Sequence, residues 1–192
     1  MDWGRINARW PWQEIRGRTV KVEWHKAIWF PLHTPKHSLI AWMAILNILP
    51  MVDRLIRMGI GVDDKCRLCR AEAETRSHVF FECSYTKAIW EMINRLCNID
   101  ITVESWDEEL SWAVSRFRGK TFLVFIVRTA WCAYIYCIWE ERNHRQFRGH
   151  SRDVANVVNC IIEVVRMKFV RMVIQSSVAN RDLCLAWGIR SS

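Results

Sequence analysis

Apolar residues recur at helical spacing through most of the chain. After Ser84, a suitable N-cap, Ile89, Met92 and Ile93 follow the i, i+3, i+4 spacing of an amphipathic helix. Strict alternation of apolar and polar residues, the mark of a half-buried strand, extends no further than residues 19–23. The pattern therefore predicts a mainly α fold.

Capping residues set the expected limits of the other helices. Thr34 followed by Pro35 predicts a helix start, and Pro50 predicts the end of that segment. A short helix should end at Gly59, whose freedom to adopt a positive φ suits a C-terminal cap. This short helix covers residues 51–58, and the helix that Ser84 caps includes Leu96. Further helices are expected over residues 105–117 and 120–147, and in a last segment that Ser151 caps and that still includes Val173.

Composition indicates a folded protein with an affinity for polyanions. The chain has 192 residues, of which 51% are apolar and 25% charged, with twelve tryptophans, and this excludes a disordered tail. A formal charge of +8 favours contact with nucleic acid, although many proteins with such a charge bind none.

One apolar stretch, residues 121–139, is long enough to cross a bilayer. Arg128 lies near its middle, where a charged side chain costs about 2.5 to 3.5 kcal/mol for membrane insertion. Basic residues flank the stretch on both sides, so neither orientation is favoured. We therefore prefer a buried helix of a soluble domain, with no membrane as partner, over a membrane-spanning helix.

Four residues form the most specific motif of the chain. Cys66 and Cys69 make a CxxC pair, followed by His78 and then Cys83. Three thiolates and one imidazole complete a tetrahedral zinc site without a position for water, which is typical of structural zinc. An unbroken helix would separate His78 and Cys83 by about 140°, so we expect a helix carrying His78 to tighten or stop near Glu82. The alternative is a set of ordinary buried thiols with a core histidine.

The remaining cysteines show no ligand spacing. They lie in apolar stretches and are interpreted as small buried hydrophobes: Cys97, Cys132, Cys137, Cys160 and Cys184. Residues 1–10 are mixed and polar and do not resemble a secretory leader. A reducing intracellular compartment, nuclear or cytoplasmic, is therefore expected.

The order of these landmarks resembles a known family. Its members are the zinc-binding domains of plant non-LTR (LINE-type) retrotransposon reverse transcriptase polyproteins, which lie between the polymerase and ribonuclease H regions. The residues that carry the resemblance are Trp24, Trp29, Pro31, Pro35, Lys36, His37, Ile40, Ala41, Trp42, Asp53, Arg54, Leu55, Gly59, Cys66, Cys69, Glu74, Thr75, His78, Phe80, Phe81, Cys83 and Trp90. A later segment, which contains Ile138, Trp139, Glu140, Arg142, Asn143 and Phe147, looks like the one that follows this domain in such polyproteins.

The resemblance implies a helical domain with a small CCHC zinc-binding lobe. It implies that Cys66, Cys69, His78 and Cys83 hold a structural Zn²⁺. We expect residues 1–97 to comprise an N-terminal segment and this domain, and residues 98–192 to form a C-terminal helical region. No polymerase or ribonuclease H activity is expected, because Asp63 and Asp64 lie in a connector and Glu140 and Glu141 face different sides of a helix.

The expected function is an accessory module that binds nucleic acid, either RNA or DNA. Phosphate contacts are predicted for the cations around the motif, and base stacking for one aromatic ring: Lys65, Arg67, Arg70, Arg76 and Tyr85. The alternatives are a docking domain for polymerase or ribonuclease H regions of a related polyprotein, anchored by tryptophans of residues 3–29, and a decayed retroelement fragment. Nucleophilic chemistry by Cys66 with His78 as base is disfavoured, because the same atoms serve better as metal ligands.

Overall fold

The computed structural model describes residues 22–101, 105–170 and 172–189. Within these residues the chain is helical and contains no strand, in agreement with the predicted fold class. The elements are α1 His25–Ile28, α2 Pro35–Ile45, α3 Val52–Arg57, a π-helical turn His78–Glu82, α4 Ser84–Leu96, α5 Trp106–Arg116, α6 Phe122–Phe147, α7 Val154–Phe169 and α8 Val178–Trp187.

The helices expected over residues 105–117 and 120–147 begin close to the expected positions. Ser105 caps α5 by accepting a hydrogen bond from Glu108 N, and Thr121 caps α6 by accepting one from Val124 N. Pro35 begins α2 and Gly59 follows α3 with a φ of 81°. Local capping chemistry therefore determines these helix limits.

Four expectations about helix limits are wrong. Ser84 is the first residue of α4 and not its N-cap, which is Cys83. The helix that begins at Pro35 ends at Ile45 and does not continue to Pro50, because Asn47 has a φ of 52° and turns the chain. Asp153, and not Ser151, caps α7, since its carboxylate accepts from Asn156 N at 2.7 Å. This helix ends at Phe169, so Val173 lies beyond it and is 89% exposed.

Helix α8 was not predicted, although its limits carry recognisable signals. Ser177 accepts a hydrogen bond from Asn180 N at its start, and Gly188 closes its end with a φ of 61°. Only two of its side chains, Cys184 and Trp187, are buried. The apolar face was too narrow for the pattern to stand out.

Helix α6 lies at the centre of the fold. It packs against α2 and α7, and α7 packs in turn against α4. By length and composition it is the one helix of the described residues that could span a membrane, yet 67% of its most apolar window is buried inside the protein. Arg128, in the same window, is buried over the ring of Phe30. This burial favours a core helix.

A cluster of aromatic side chains, which we call the aromatic core, connects four elements. Phe81 stacks on Tyr134 with centroids 5.7 Å apart, and Trp90 lies 4.8 Å from the same ring. Trp106 and Trp131 extend the cluster. The Tyr134 hydroxyl donates to backbone carbonyls of the π-helical turn and of α4, so α6 holds both elements in place. The expected domain boundary between residues 97 and 98 stays a prediction, and helices from both sides of it pack together.

Candidate metal centre

The chain between residues 64 and 78, which we call the knuckle, folds back on itself around the CxxC pair. Lys65 and Ala73 form an isolated antiparallel bridge, and Cys66 N donates to Glu72 O at 2.8 Å. Arg70 turns the chain with a φ of 60°, which is uncommon outside glycine. The resulting loop presents both cysteines on one side.

A π-helical turn delivers the other two donors. Cys83 N donates to His78 O at 2.8 Å, which is the i to i+5 bond of a π-helix. The wider turn brings residues five apart to similar angular positions, whereas an α-helix would separate them. The helix stops at Glu82 as predicted, but it widens and does not tighten.

Backbone amides surround the sulfurs. Leu68 N donates to Cys66 Sγ at 3.4 Å. Cys83 is the N-cap of α4, and the backbone amides of Tyr85 and Thr86 lie near its sulfur without closing a capping hydrogen bond. A hydrogen bond from the Cys66 thiol lowers the pKa of Cys83, and these amides lower it further, while the same thiol bond and burial raise the pKa of Cys66. The amides are placed to stabilise negative charge on sulfur.

The four predicted donors converge. One ligand atom from each of Cys66, Cys69, His78 and Cys83 lies within 4.8 Å of every other, and Cys69 Sγ is 3.3 Å from His78 Nε2. Tetrahedral zinc with Zn–S near 2.3 Å and Zn–N near 2.0 Å requires donor separations of about 3.5 to 3.8 Å. Small side-chain adjustments would therefore bring all four atoms to one centre. Three of these residues are buried and Cys69 is half-buried, as expected for a closed structural site.

Comparison with known families bears on this part of the chain. Residues 7–90 match the family described as zinc-binding in reverse transcriptase. This part of the chain is therefore similar to that family. The family is an accessory domain and not a catalytic one, and its cofactor agrees with the three cysteines and one histidine that converge here. The comparisons with curated proteins and with solved structures found no match.

When zinc is bound to this domain, the three thiolates and the imidazole supply its whole coordination shell and leave no position for a substrate. The contribution of the chain is to place these donors. The knuckle holds Cys66 and Cys69, the π-helical turn holds His78, and the start of α4 holds Cys83. The bound ion would tie all three segments together.

The predicted nucleic-acid residues differ in their surroundings. Lys65 and Arg70 are exposed, although Lys65 Nζ also donates to Ala71 O. Arg67 is half-buried and pairs with Asp63 at 3.1 Å. Arg76 donates to the carbonyl of Ile45, and its guanidinium lies over the ring of Trp106.

Tyr85 also has partners inside the protein. Its hydroxyl donates to Arg152 O at 2.8 Å, and the guanidinium of Arg145 covers its ring at 4.3 Å. Burial raises the pKa of Tyr85 to about 12. Base stacking by this ring stays a prediction, and it would require Arg145 to move.

The sequence indicated no role in the site for three residues around the knuckle: Glu74, Arg142 and Arg145. Glu74 is buried and receives hydrogen bonds from two backbone amides and from Arg142. Arg145 donates to the carbonyl of Leu68, inside the CxxC pair. No local pattern indicates these contacts, because the arginines lie 68 and 77 residues from their partners.

Proposed function

We propose that this chain is a structural-zinc module that binds nucleic acid through the exposed side of the knuckle. The family match carries the proposal, because the family is described as part of reverse transcriptases, which act on RNA and DNA. The exposed cations Lys65 and Arg70 support phosphate contact. Zinc would keep both side chains on a rigid loop.

The local charge limits how strong this contact is. Asp63, Asp64 and Glu72 are exposed close to the same cations, and Asp63 already pairs with Arg67. The knuckle alone therefore offers little excess positive charge. Binding is expected to be modest, salt-dependent and of low sequence preference.

A salt titration with matched variants tests the proposal. Binding of a single-stranded oligonucleotide should weaken in Lys65→Ala/Arg70→Ala, and its salt slope should fall by about one for each phosphate that the variant no longer neutralises. The control is Arg116→Ala/Lys120→Ala, which removes two exposed cations from the turn between α5 and α6. Equal weakening in both variants would point to unspecific charge, and absence of binding by the unaltered chain would remove the proposal.

The second candidate is a docking domain for polymerase or ribonuclease H regions of a related polyprotein. An apolar strip near the knuckle favours it: Ile56, Met58 and Ile60 are 44%, 66% and 46% exposed. The tryptophans suggested for this role give less support, since Trp24 and Trp29 pack against the core and Trp3, Trp10 and Trp12 lie outside the described residues. Loss of cross-linking to a co-expressed polymerase region in Met58→Asp would support docking, and unchanged cross-linking would count against it.

The proposal includes no catalytic step. Asp63 is engaged by Arg67, while Glu140 and Glu141 both pair with Arg152. Cys66 is fully buried, which disfavours a role as nucleophile. The reducing intracellular compartment stays a prediction, and the absence of disulfides among the eight cysteines is compatible with it.

A further inference from the structure

The first and the last of the three peptide groups between Cys66 and Cys69 are held from α6. Arg67 N donates to Glu74 Oε2 at 3.2 Å, and Glu74 Oε1 accepts from Arg142 Nε at 3.0 Å and Nη2 at 2.6 Å. Leu68 O accepts from Arg145 Nη1 at 2.7 Å. Arg142 thus contacts the CxxC turn through Glu74, whereas Arg145 contacts it directly.

The first of these contacts is almost fully shielded from water. Glu74 and Arg142 are 1% and 2% exposed, so solvent screens their ion pair very little. The same carboxylate accepts from Val52 N at 3.1 Å. One buried group therefore orients the start of α3 and the CxxC turn together.

The second contact is oriented by its own acidic partner. Arg145 Nε donates to Glu141 Oε1 at 2.7 Å, and Glu141 also binds Arg152 through its other oxygen. Glu141 is fully buried. With Nε engaged by Glu141 and the ring of Tyr85 beneath the guanidinium, Arg145 directs Nη1 at Leu68 O.

We propose that Arg142 and Arg145 are positioning residues of the zinc site, so that the zinc-binding unit extends into α6 beyond the matched segment. They fix the first and the last of the three peptide groups between Cys66 and Cys69. This keeps Leu68 N directed at Cys66 Sγ and holds the cysteine pair ready for the ion. Outer groups that orient metal ligands typically change metal affinity by about 10–100-fold when they are removed.

Zinc affinity of the full chain, measured by competition with a chromophoric chelator, tests this proposal. Arg142→Met should raise the dissociation constant about 10–100-fold, and Arg142→Lys should restore part of the affinity because it keeps the charge but not the paired donors. The control is Ile161→Ala, which opens a cavity in buried α7 away from the knuckle and should leave zinc affinity within about twofold. Equal affinity changes in Arg142→Met and Ile161→Ala, or none in either, would overturn the proposal.

A second arm covers the case in which Arg142→Met does not fold. Arg145 is partly exposed, and Arg145→Gln removes its bond to Leu68 O while the buried carboxylate of Glu141 keeps its pair with Arg152. The thiolate charge-transfer bands of the Co²⁺-substituted protein should shift in this variant, since the cysteine pair is less constrained. Co²⁺ bands and zinc affinity identical to those of the unaltered chain would contradict the role of Arg145. Neither readout depends on nucleic-acid binding.

Discussion

The knuckle and the aromatic core meet at the π-helical turn but are stabilised in different ways. In the knuckle, the buried side chains are Cys66, Leu68, Glu74 and His78, so three of the four carry a metal donor or a charge. The aromatic core buries the rings of Phe80, Phe81, Trp106, Trp131 and Tyr134 almost completely. The first region depends on an ion and on directed polar contacts, and the second on the removal of apolar surface from water.

This difference indicates how each region should respond to loss of the metal and to a cavity in the core. Loss of the metal removes the main reason for the knuckle to stay closed, while the rings of the core keep their contacts. A cavity in the core lowers the stability of the whole protein but leaves the four donors in place. Single substitutions should therefore separate the two regions, and the largest effect is expected at the metal.

Removal of zinc should open the knuckle and leave the central helices folded. Structural zinc contributes roughly 10–16 kcal/mol in zinc-finger peptides, more than any single side chain here. In Cys83→Ser, amide hydrogen exchange should become fast over residues 64–78 and in the first turn of α4, which Cys83 caps. Helices α6 and α7 should keep their protection.

Cys160→Ser is the matched control for this experiment, because that thiol lies outside the site. Its exchange pattern should equal that of the unaltered chain. Knuckle amides that stay protected in Cys83→Ser would show that polar contacts alone keep this region closed.

Trp131→Ala should act on the other region. The side chain is fully buried in the aromatic core, and its removal should lower the free energy of unfolding by about 3–5 kcal/mol. Denaturant unfolding measures this decrease, and the folded protein should still bind one zinc. The partly exposed Trp112 provides a smaller reference in Trp112→Ala. Loss of zinc from folded Trp131→Ala would contradict the separation of the two regions.

Glu109 makes the stability of the aromatic core depend on pH. Its carboxylate oxygens accept from the indoles of Trp90 and Trp131, and burial raises the pKa of Glu109 to about 8. Between its ordinary pKa of 4.5 and about 8, the folded state holds a proton that the unfolded chain releases, so stability falls as pH rises through this window.

The variant Glu109→Gln should remove this pH dependence. The stability difference between the two proteins should change by up to about 1.4 kcal/mol between pH 6 and pH 7, in favour of the variant at the higher pH. Denaturant unfolding at both pH values measures it. A constant difference would mean that Glu109 is ionised in the folded protein.

The smallest effect is expected for the surface of the knuckle. The Arg67 side chain is 21% exposed and pairs with the more exposed Asp63, so solvent weakens the pair. In Arg67→Ala, the free energy of unfolding should fall by no more than about 1 kcal/mol, and zinc content should not change. A tenfold loss of zinc affinity would show that this side chain, and not only its backbone amide, positions the CxxC pair.

Features with a local chemical signal were predictable from the sequence. Helix starts were expected near residues 105 and 120, where Ser105 and Thr121 cap α5 and α6, and Gly59 identified a helix end. The spacing of the cysteines and the histidine indicated the donors that converge in the structure. The wide turn between His78 and Cys83 was only half predicted, because donor spacing requires a departure from α-helical geometry without specifying its kind.

Features that depend on distant partners were not predictable. No residue near Glu74 in the sequence indicates that its carboxylate pairs with Arg142, since the pairing arises only when α6 packs against the knuckle. Likewise, Arg76 and Tyr85 looked like surface groups around the motif, yet Asp107 and Arg152 hold them from other parts of the chain. Charge and spacing identify side chains that are able to bind a ligand, and tertiary packing decides which of them remain available.

The metal content of the purified chain tests the central claim most directly. The protein would be prepared without added metal and analysed by elemental mass spectrometry beside Cys83→Ser. The account predicts one zinc per chain in the unaltered protein and almost none in the variant. Zinc near zero in both proteins, with the chain still folded, would contradict it.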